Sequence, residues 1–300
     1  MDIIRKVEER DFEEVCKLVQ EGLPNWQISN EQRFGMFKNY WNLPNHCAGY
    51  VAIVDSQIVG FIGTICSEIP KNNKLEKVCN LTSWFLKEEY RSQGIGLKLL
   101  MPIIGMKGYT ITNISPTEDS YKLLKSLGYK DLETGHYLLF PFLNLKNLFN
   151  KKCKLITDHS KIKHLLDKDE IKIFNDHLRG DFNCKHIVIL IKEKKPLYLI
   201  ISKLNMKHLK LTKFNLFFGK VSYINDVFLF KSWNFYFRNM LCLFLKIPFF
   251  TVDKRFIGSN KPYLSIYKKL KVPLVYKSKK MKTTEVGDLY SEFFTLSPWR

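Results

Sequence analysis

Arg91-Ser92-Gln93-Gly94-Ile95-Gly96 stands between an apolar run that reads as a strand, Val78 to Leu86, and a helical run, Leu97 to Met106. Glycines at 94 and 96 allow a backbone to approach an anion with no Cβ in the way. The first amides of the helix that follows have no partner within it. Those amides and the positive end of the helix dipole favour phosphate oxygens, so the turn is a candidate pyrophosphate cradle. Arg91 adds a planar donor at its edge.

Upstream of this turn, Ile3 to Val7 reads as a short strand, and Asp11 with Glu14 and then Val15, Leu18 and Val19 as an N-capped amphipathic helix. A second helical stretch, rich in aromatics, covers about 30–41. Tyr50 to Val54 and Ile58 to Cys66 form a hairpin pattern around Asp55-Ser56-Gln57. Downstream come a buried strand, Tyr109 to Ile114, a helix, Glu118 to Leu127, ended by Gly128, and a closing strand, His136 to Phe142.

After a polar, basic stretch, Asn144 to Lys154, the order is repeated. A helical segment, Lys161 to Leu178, precedes a hairpin, Ile187 to Ile191 and Leu197 to Ser202. Next come a long strand, Val221 to Phe230, a helical run, Trp233 to Lys246, and a strand, Pro248 to Val252. A helix opened by Ser259, Asn260 and Pro262 and two strands, Val272 to Tyr276 and Leu289 to Leu296, complete the chain. The expected fold class is therefore α/β (α+β): a mixed central sheet flanked by helices in residues 1–148, and a second, degenerate copy in 149–300. No glycine occurs between Gly219 and Gly258, and Lys231-Ser232-Trp233-Asn234 stands where the second copy is expected to turn from strand to helix. One phosphate cradle is expected, in the first copy.

The glycine turn lacks the three glycines after a first strand of a dinucleotide-binding unit and the Gly-Lys-Ser/Thr of a P-loop. The stretch Phe85-Leu86-Lys87-Glu88-Glu89-Tyr90-Arg91-Ser92-Gln93-Gly94-Ile95-Gly96-Leu97-Lys98-Leu99-Leu100 resembles the acyl-CoA-binding motif of the GNAT superfamily of N-acyltransferases. Leu124-Lys125-Ser126-Leu127-Gly128-Tyr129 resembles that family's second signature, a helix ending in Leu-Gly-Phe or Leu-Gly-Tyr. The resemblance implies acetyl-CoA or another acyl-CoA as co-substrate, no metal, and a pyrophosphate on the amides of Ser92, Gln93, Gly94, Ile95, Gly96 and Leu97, with Arg91 beside it. The pantetheine arm would enter between 78–86 and 109–114. There the Leu86 amide would polarise the thioester carbonyl, and Asn113 either contacts pantetheine or caps its strand end.

The same resemblance implies direct attack of a neutral amine on the thioester, which needs a base for the amine proton and an acid for the leaving thiolate. Where family members often carry a tyrosine acid this chain has Leu124. Tyr121, one turn earlier, is the substitute acid; otherwise its ring packs in the core. Glu68, at the hairpin end, is the candidate base; otherwise it is a solvated strand-end charge. His46 lines the acceptor site or lies on the surface.

The formal net charge is +19. Residues 1–150 hold 17 Lys/Arg against 17 Asp/Glu and the remainder 31 against 12, so the excess is confined to the second half. A basic surface concentrates an acidic acceptor, such as a nucleotide-linked sugar, a phosphorylated metabolite, nucleic acid or an anionic membrane. The small acidic amine is the favoured acceptor, and the aromatics of Phe214 to Tyr236 read as packing rather than as a nucleic-acid platform. Two-part transferases with Tyr-Trp-Asn near residue 41 resemble enzymes that acylate amino sugars for surface polysaccharides. The alternative is a GNAT-derived protein that binds acyl-CoA or an anionic polymer without turnover. Seven scattered cysteines without zinc-type pairing read as a reduced protein. Met1 to Glu14 lacks a signal peptide's apolar core, and Phe235 to Phe250 is interrupted by Arg238 and Lys246, so the expected location is the cytoplasm, without a transmembrane segment.

Overall fold

Between Gly49 and Leu86 apolar and β-branched residues are nearly continuous, and they form three antiparallel strands, β2 (Gly49–Val54), β3 (Gln57–Lys71) and β4 (Lys74–Leu86). Two-residue turns join them. Asp55-Ser56 and Asn72-Asn73 hold positive φ at both positions, the backbone twist that suits a tight hairpin. In this computed structural model, residues 3–22, 29, 33–142, 152–178, 182–205 and 217–296 are described. The expected division at 148/149 and most of the stretch 144–154 lie outside them, as does part of the expected helix at 30–41.

The rest of the first half supplies β1 (Ile3–Lys6), β5 (Tyr109–Asn113) and β6 (Lys130–Leu139), with helices α1 (Phe12–Gly22), α2 (Ile95–Ile104) and α3 (Glu118–Ser126). Asp11 does not cap α1 directly. It accepts the Glu8 amide at 2.8 Å and the Arg5 guanidinium at 2.6 and 2.8 Å in a 3-10 turn, Glu9–Asp11, that leads into the helix.

The second half supplies β7 (Cys153–Ile156), α4 (His159–Leu165), α5 (Lys168–His177), β8 (Cys184–Ile191), β9 (Leu197–Asn205), β10 (Phe217–Ile224), α6 (Val227–Leu245), β11 (Phe250–Asp253), α7 (Lys254–Ile257), β12 (Ser265–Lys277) and α8 (Glu292–Thr295). Three expectations fail here for local reasons. The strand expected to reach Phe230 stops at Ile224, because the Asp226 carboxylate accepts the Leu229 amide at 2.8 Å and starts α6. Lys231 to Asn234 therefore lies inside that helix. The helix expected at Ser259 is absent, and Leu289 to Leu296 is not a strand: Ser291 caps α8 there.

The twelve strands of the described residues share one sheet, ordered β1-β2-β3-β4-β5-β12-β6-β11-β10-β9-β8-β7. Two parallel pairs, β4–β5 and β10–β11, are each bridged by a helix, α2 and α6. The other pairings are antiparallel. Around the centre the two halves exchange strands. β12, which follows β11 in the chain, pairs with β5, while β6, which follows β5, pairs with β11.

Helices cover the faces. Leu99 and Ile103 of α2 and Leu124 of α3 pack on Cys79, Leu81 and Val275. Phe230, Phe237 and Leu241 of α6 pack on β8 to β11. Arg238 of α6 is 1% exposed. Its Nη1 donates to the carbonyls of Phe140, Tyr263 and Leu264 at 3.2, 2.8 and 3.2 Å, and its Nη2 to Asn234. Burial lowers its pKa to about 10. The guanidinium thus fastens the end of β6 to the start of β12. Arg238→Met strands the Phe140 and Tyr263 carbonyls, while Leu264 keeps the Phe140 amide, and we expect a loss of about 3 kcal/mol in urea unfolding.

Among the described residues, no helix is long and apolar enough to cross a membrane.

Candidate active site

The parallel pairing of β4 with β5 runs from Lys77↔Tyr109 to Asn80↔Thr112 and then stops, while β4 continues to Leu86. A notch opens between the two strands. Near it β4 is irregular: Phe85 pairs with Phe61 and Thr82 with Gly63, so Ser83 and Trp84 stand against the single residue Ile62. Ser83 takes a left-handed φ of +50° in this bulge, and its hydroxyl rests on Met36 Sδ at 3.1 Å.

From Leu86 the chain passes through a 3-10 turn, Glu88–Tyr90, into the expected cradle. Ser92 has φ +65° and Gly94 φ +76°. Gly94 is the N-cap of α2 and contributes no side-chain cap; its carbonyl accepts the Lys98 amide at 3.0 Å and opens the helical ladder. The amides of Ile95, Gly96 and Leu97 thus belong to the unpaired first turn. A Cβ built at Gly94 meets nothing within 4 Å, and one at Gly96 meets only Leu86 Cδ2, at 4.0 Å. This open, amide-lined space fits a phosphate group.

Arg91 turns back toward the strand. Its Nε donates to the Leu86 carbonyl at 3.1 Å and its guanidinium lies 5.7 Å from the Phe85 ring centroid. Gln93 holds the turn through Nε2 to the Glu89 carbonyl at 2.8 Å. Leu86 to Leu97 is therefore one continuous, locally braced segment at the mouth of the notch.

The other expected residues are placed differently. Asn113 is buried at the end of β5, and its Oδ1 accepts the Ser115 amide at 3.1 Å, a strand-end cap. Leu124 is fully buried. The Tyr121 hydroxyl donates to Asp131 Oδ1 at 3.1 Å, which also takes Lys125 Nζ at 2.9 Å; burial and the neighbouring carboxylate raise its pKa. The His46 Nε2 is held against the Phe37 carbonyl at 3.0 Å.

Glu68 is not brought to the notch. It pairs with Lys77, nine residues along β4 from Leu86. At about 3.3 Å per residue that is roughly 30 Å away. The hairpin β3–β4 is longer than its apolar pattern suggested, and Glu68 lies toward the far end.

Another carboxyl occupies the base of the notch. Glu292, 5% exposed, extends from α8 at the far end of the chain. Asn80 Nδ2 donates to its Oε2, and Ser115 Oγ to its Oε1 at 2.6 Å. Thr112 Oγ1 donates to Asn80 Oδ1 at 3.0 Å and fixes the orientation of that amide. Burial pushes the Glu292 carboxyl up to about 7, against the hydrogen bonds from Ser115 and Asn80, which favour its ionised form; Asp288 adds to the rise. No motif in the sequence marks this residue. The only hint was Ser291 one residue earlier, a helix cap signal in a segment read as strand.

The corresponding place in the second half is filled. Pairing of β10 with β11 ends at Val221↔Val252. Lys220, paired with Thr251 just before that end, forms an ion pair with Asp288, and Arg255, two residues past β11, donates through Nη1 to the carbonyls of Thr283, at 3.0 Å, and Val286. A Cβ on Gly287 would lie 3.6 Å from the Ser222 carbonyl oxygen. The C-terminal segment packs into this second gap before it delivers Glu292 to the first.

Residues 8–128 match the model of the acetyltransferase (GNAT) family. A search of curated proteins finds no match. The fold resembles that of a GCN5-related N-acetyltransferase from Anabaena variabilis ATCC 29413, at 11% identity and TM-score 0.57 over 92% of this chain and 72% of that one. A conserved protein of unknown function from Enterococcus faecalis V583 aligns at 12% identity and TM-score 0.54, over 94% and 74%. A GCN5-related N-acetyltransferase from Kribbella flavida aligns at 8% and 0.50, over 92% and 71%. Such identities speak for the fold alone; the family match is confined to residues 8–128, a segment that includes β4, the glycine turn and α3.

Proposed function

We propose that the chain is an N-acyltransferase that moves an acyl group, most simply acetyl, from acyl-CoA to a primary amine. The observation that carries this reading is the unpaired first turn of α2 behind Gly94, opening at the mouth of the parted β4–β5 pair. Pyrophosphate on the amides of 92–97 leaves the acyl end to reach toward Leu86, whose backbone amide is the proposed donor to the thioester carbonyl. Tyr121 is the proposed acid, its hydroxyl already oriented by Asp131. For the acceptor we favour an acidic amine, such as an amino sugar or a nucleotide-linked amino sugar, because 31 of the 48 Lys/Arg fall after residue 150. We further read residues 149–300 as a degenerate copy of 1–148, supported by the strand order and by the Asp226 carboxylate that caps α6 where an anion would need free amides.

A second reading, binding without turnover, is favoured by one observation: the tyrosine position of the second signature is a core leucine, Leu124. Thiol release separates the two. The purified chain is expected to melt higher with acetyl-CoA than without it, and to release CoA thiol when supplied with a member of a panel of amines. Acidic amino sugars should react with a lower KM than neutral ones, and that advantage should shrink with added salt. Thermal stabilisation without thiol release from any amine sinks the enzymatic reading, and no stabilisation sinks the cofactor assignment.

A further inference from the structure

We infer that Glu292, carried from the last helix of the second half into the notch between β4 and β5, is the group that takes the proton from the attacking amine. This rests on the N-acyltransfer reading above. As the amine nitrogen forms its bond to the acyl carbon, the C–S bond breaks and sulfur leaves with that electron pair. The nitrogen's proton passes to an ionised Glu292 oxygen, the leaving sulfur takes the hydroxyl proton of Tyr121, the proposed acid, and the carboxyl and phenolate are reset by proton exchange with water. An amine and a thioester become an amide and a thiol with no net change of charge.

Three observations support the assignment. The carboxyl lies where β4 and β5 part, anchored to the last paired residue of β4, Asn80, and to Ser115 just beyond β5. Among the described residues its side-chain hydrogen-bond partners are the neutral donors Asn80 and Ser115, with no ion pair, and a carboxylate kept out of water without a cation is costly unless it has a use. The nearby charged group is Asp288, itself paired with Lys220, while Tyr40, whose hydroxyl donates to the Thr295 carbonyl at 3.0 Å, packs alongside α8. With burial raising its proton affinity into the neutral range, the carboxyl can both accept and return a proton near pH 7. The expected base Glu68 pairs with Lys77, three residues from Asn80 on the side away from Leu86, and takes no part in the Asn80–Glu292–Ser115 cluster.

The assignment makes the second half part of the active site. Its C-terminal segment fills its own gap, through Asp288 on Lys220, and four residues later supplies the carboxyl to the other half.

The test uses the full chain, acetyl-CoA and the best acceptor of the amine panel, or water in the absence of one. Wild type must first be stabilised by acetyl-CoA; failure at that step rejects the acyltransfer reading itself. Glu292→Gln retains the acceptor for Asn80, and we expect its acetyl-CoA affinity to stay within about two-fold of wild type. Its kcat should fall at least ~100-fold, in the range general-base removal produces, and the residual rate should lose the wild-type decline on the acid side of about pH 7. Ser115→Ala removes a hydrogen bond that favours the ionised form, so its acid limb should move to higher pH. A rate for Glu292→Gln within about three-fold of wild type, or an acid limb unmoved in both variants, overturns the assignment. If Glu292→Gln does not fold, Glu292→Asp replaces it: a lower rate with a displaced acid limb supports the role, and wild-type rate and limb overturn it.

Discussion

Residues 1–148 expressed alone are expected to show no cooperative unfolding transition and to aggregate. Their last strand, β6, does not pair with any strand of its own half; its neighbours are β12 and β11. Without β12, β5 loses the partner that meets Ile111, Thr112 and Asn113, and the core beneath it loses Val275. Two long unpaired edges and an opened core are conditions under which strands seek partners in other chains. The second half is equally incomplete, since β11 would lack β6. Co-expression of 1–148 with 149–300 is expected to restore a soluble complex, because the exchange is reciprocal. Circular dichroism melts and size-exclusion chromatography decide the matter: a monomeric, cooperatively melting 1–148 is the result that contradicts it. Deletion of residues 259–300 should fail in the same way, because it removes β12 and Glu292 together.

Gly94→Glu is expected to abolish acetyl-CoA binding, weakening it at least ~100-fold, or about 3 kcal/mol, while leaving the fold intact. Gly94 is exposed and a Cβ there meets no atom within 4 Å, so the new side chain enters the space that we assign to the pyrophosphate rather than the core. A carboxylate there competes for the α2 amides and repels the phosphate charge. The φ of +76° adds strain of about 1 kcal/mol for any residue with a Cβ. Gly94→Ala isolates that second effect and should retain most of the binding. Isothermal titration of both variants, with melting curves in the absence of ligand, separates a lost site from a damaged fold. Binding by Gly94→Glu at wild-type strength would remove the cradle from the cofactor path.

Stability against pH offers an independent reading of Glu292. Its carboxyl has a folded-state pKa near 7, above the usual carboxylate value. The folded state therefore holds that proton more tightly than the unfolded chain does. Its contribution is neutral below the unfolded pKa, becomes increasingly unfavourable as pH rises from about 4.5 to 7, and levels off above. Glu292→Gln removes this penalty, so the variant should melt above wild type at pH 8 and converge with it near pH 4. A stabilised but slow enzyme is the pattern expected when a carboxyl is retained for chemistry.

Much of the first half was legible because its signals are local. Gly94 and Gly96 before an apolar helix, Gly128 after another, and paired polar residues between β-branched runs each report on a few neighbouring φ and ψ angles, and the structure places a turn or cap at each. Where the same kind of reading failed, a side-chain cap had outweighed apolar pattern: Asp226 started a helix within an apparent strand, and Ser291 did so within another. Glu68 was misjudged for a related reason, since alternation alone did not show that β3 and β4 extend to Lys71 and Lys74.

By itself the sequence determined the glycine turn and the open helix start behind it, because an unpaired helix start without a Cβ is a property of consecutive residues. It also showed that no glycine falls between Gly219 and Gly258, where the second half turns from strand to helix. Only the tertiary structure decided which carboxyl stands in the notch and which strand closes the sheet. Glu292 lies 212 residues from Asn80, and β12 enters between β5 and β6 from the other half. Such pairings are set by which edges and gaps remain unfilled once the rest of the chain has packed, and no short-range pattern records them.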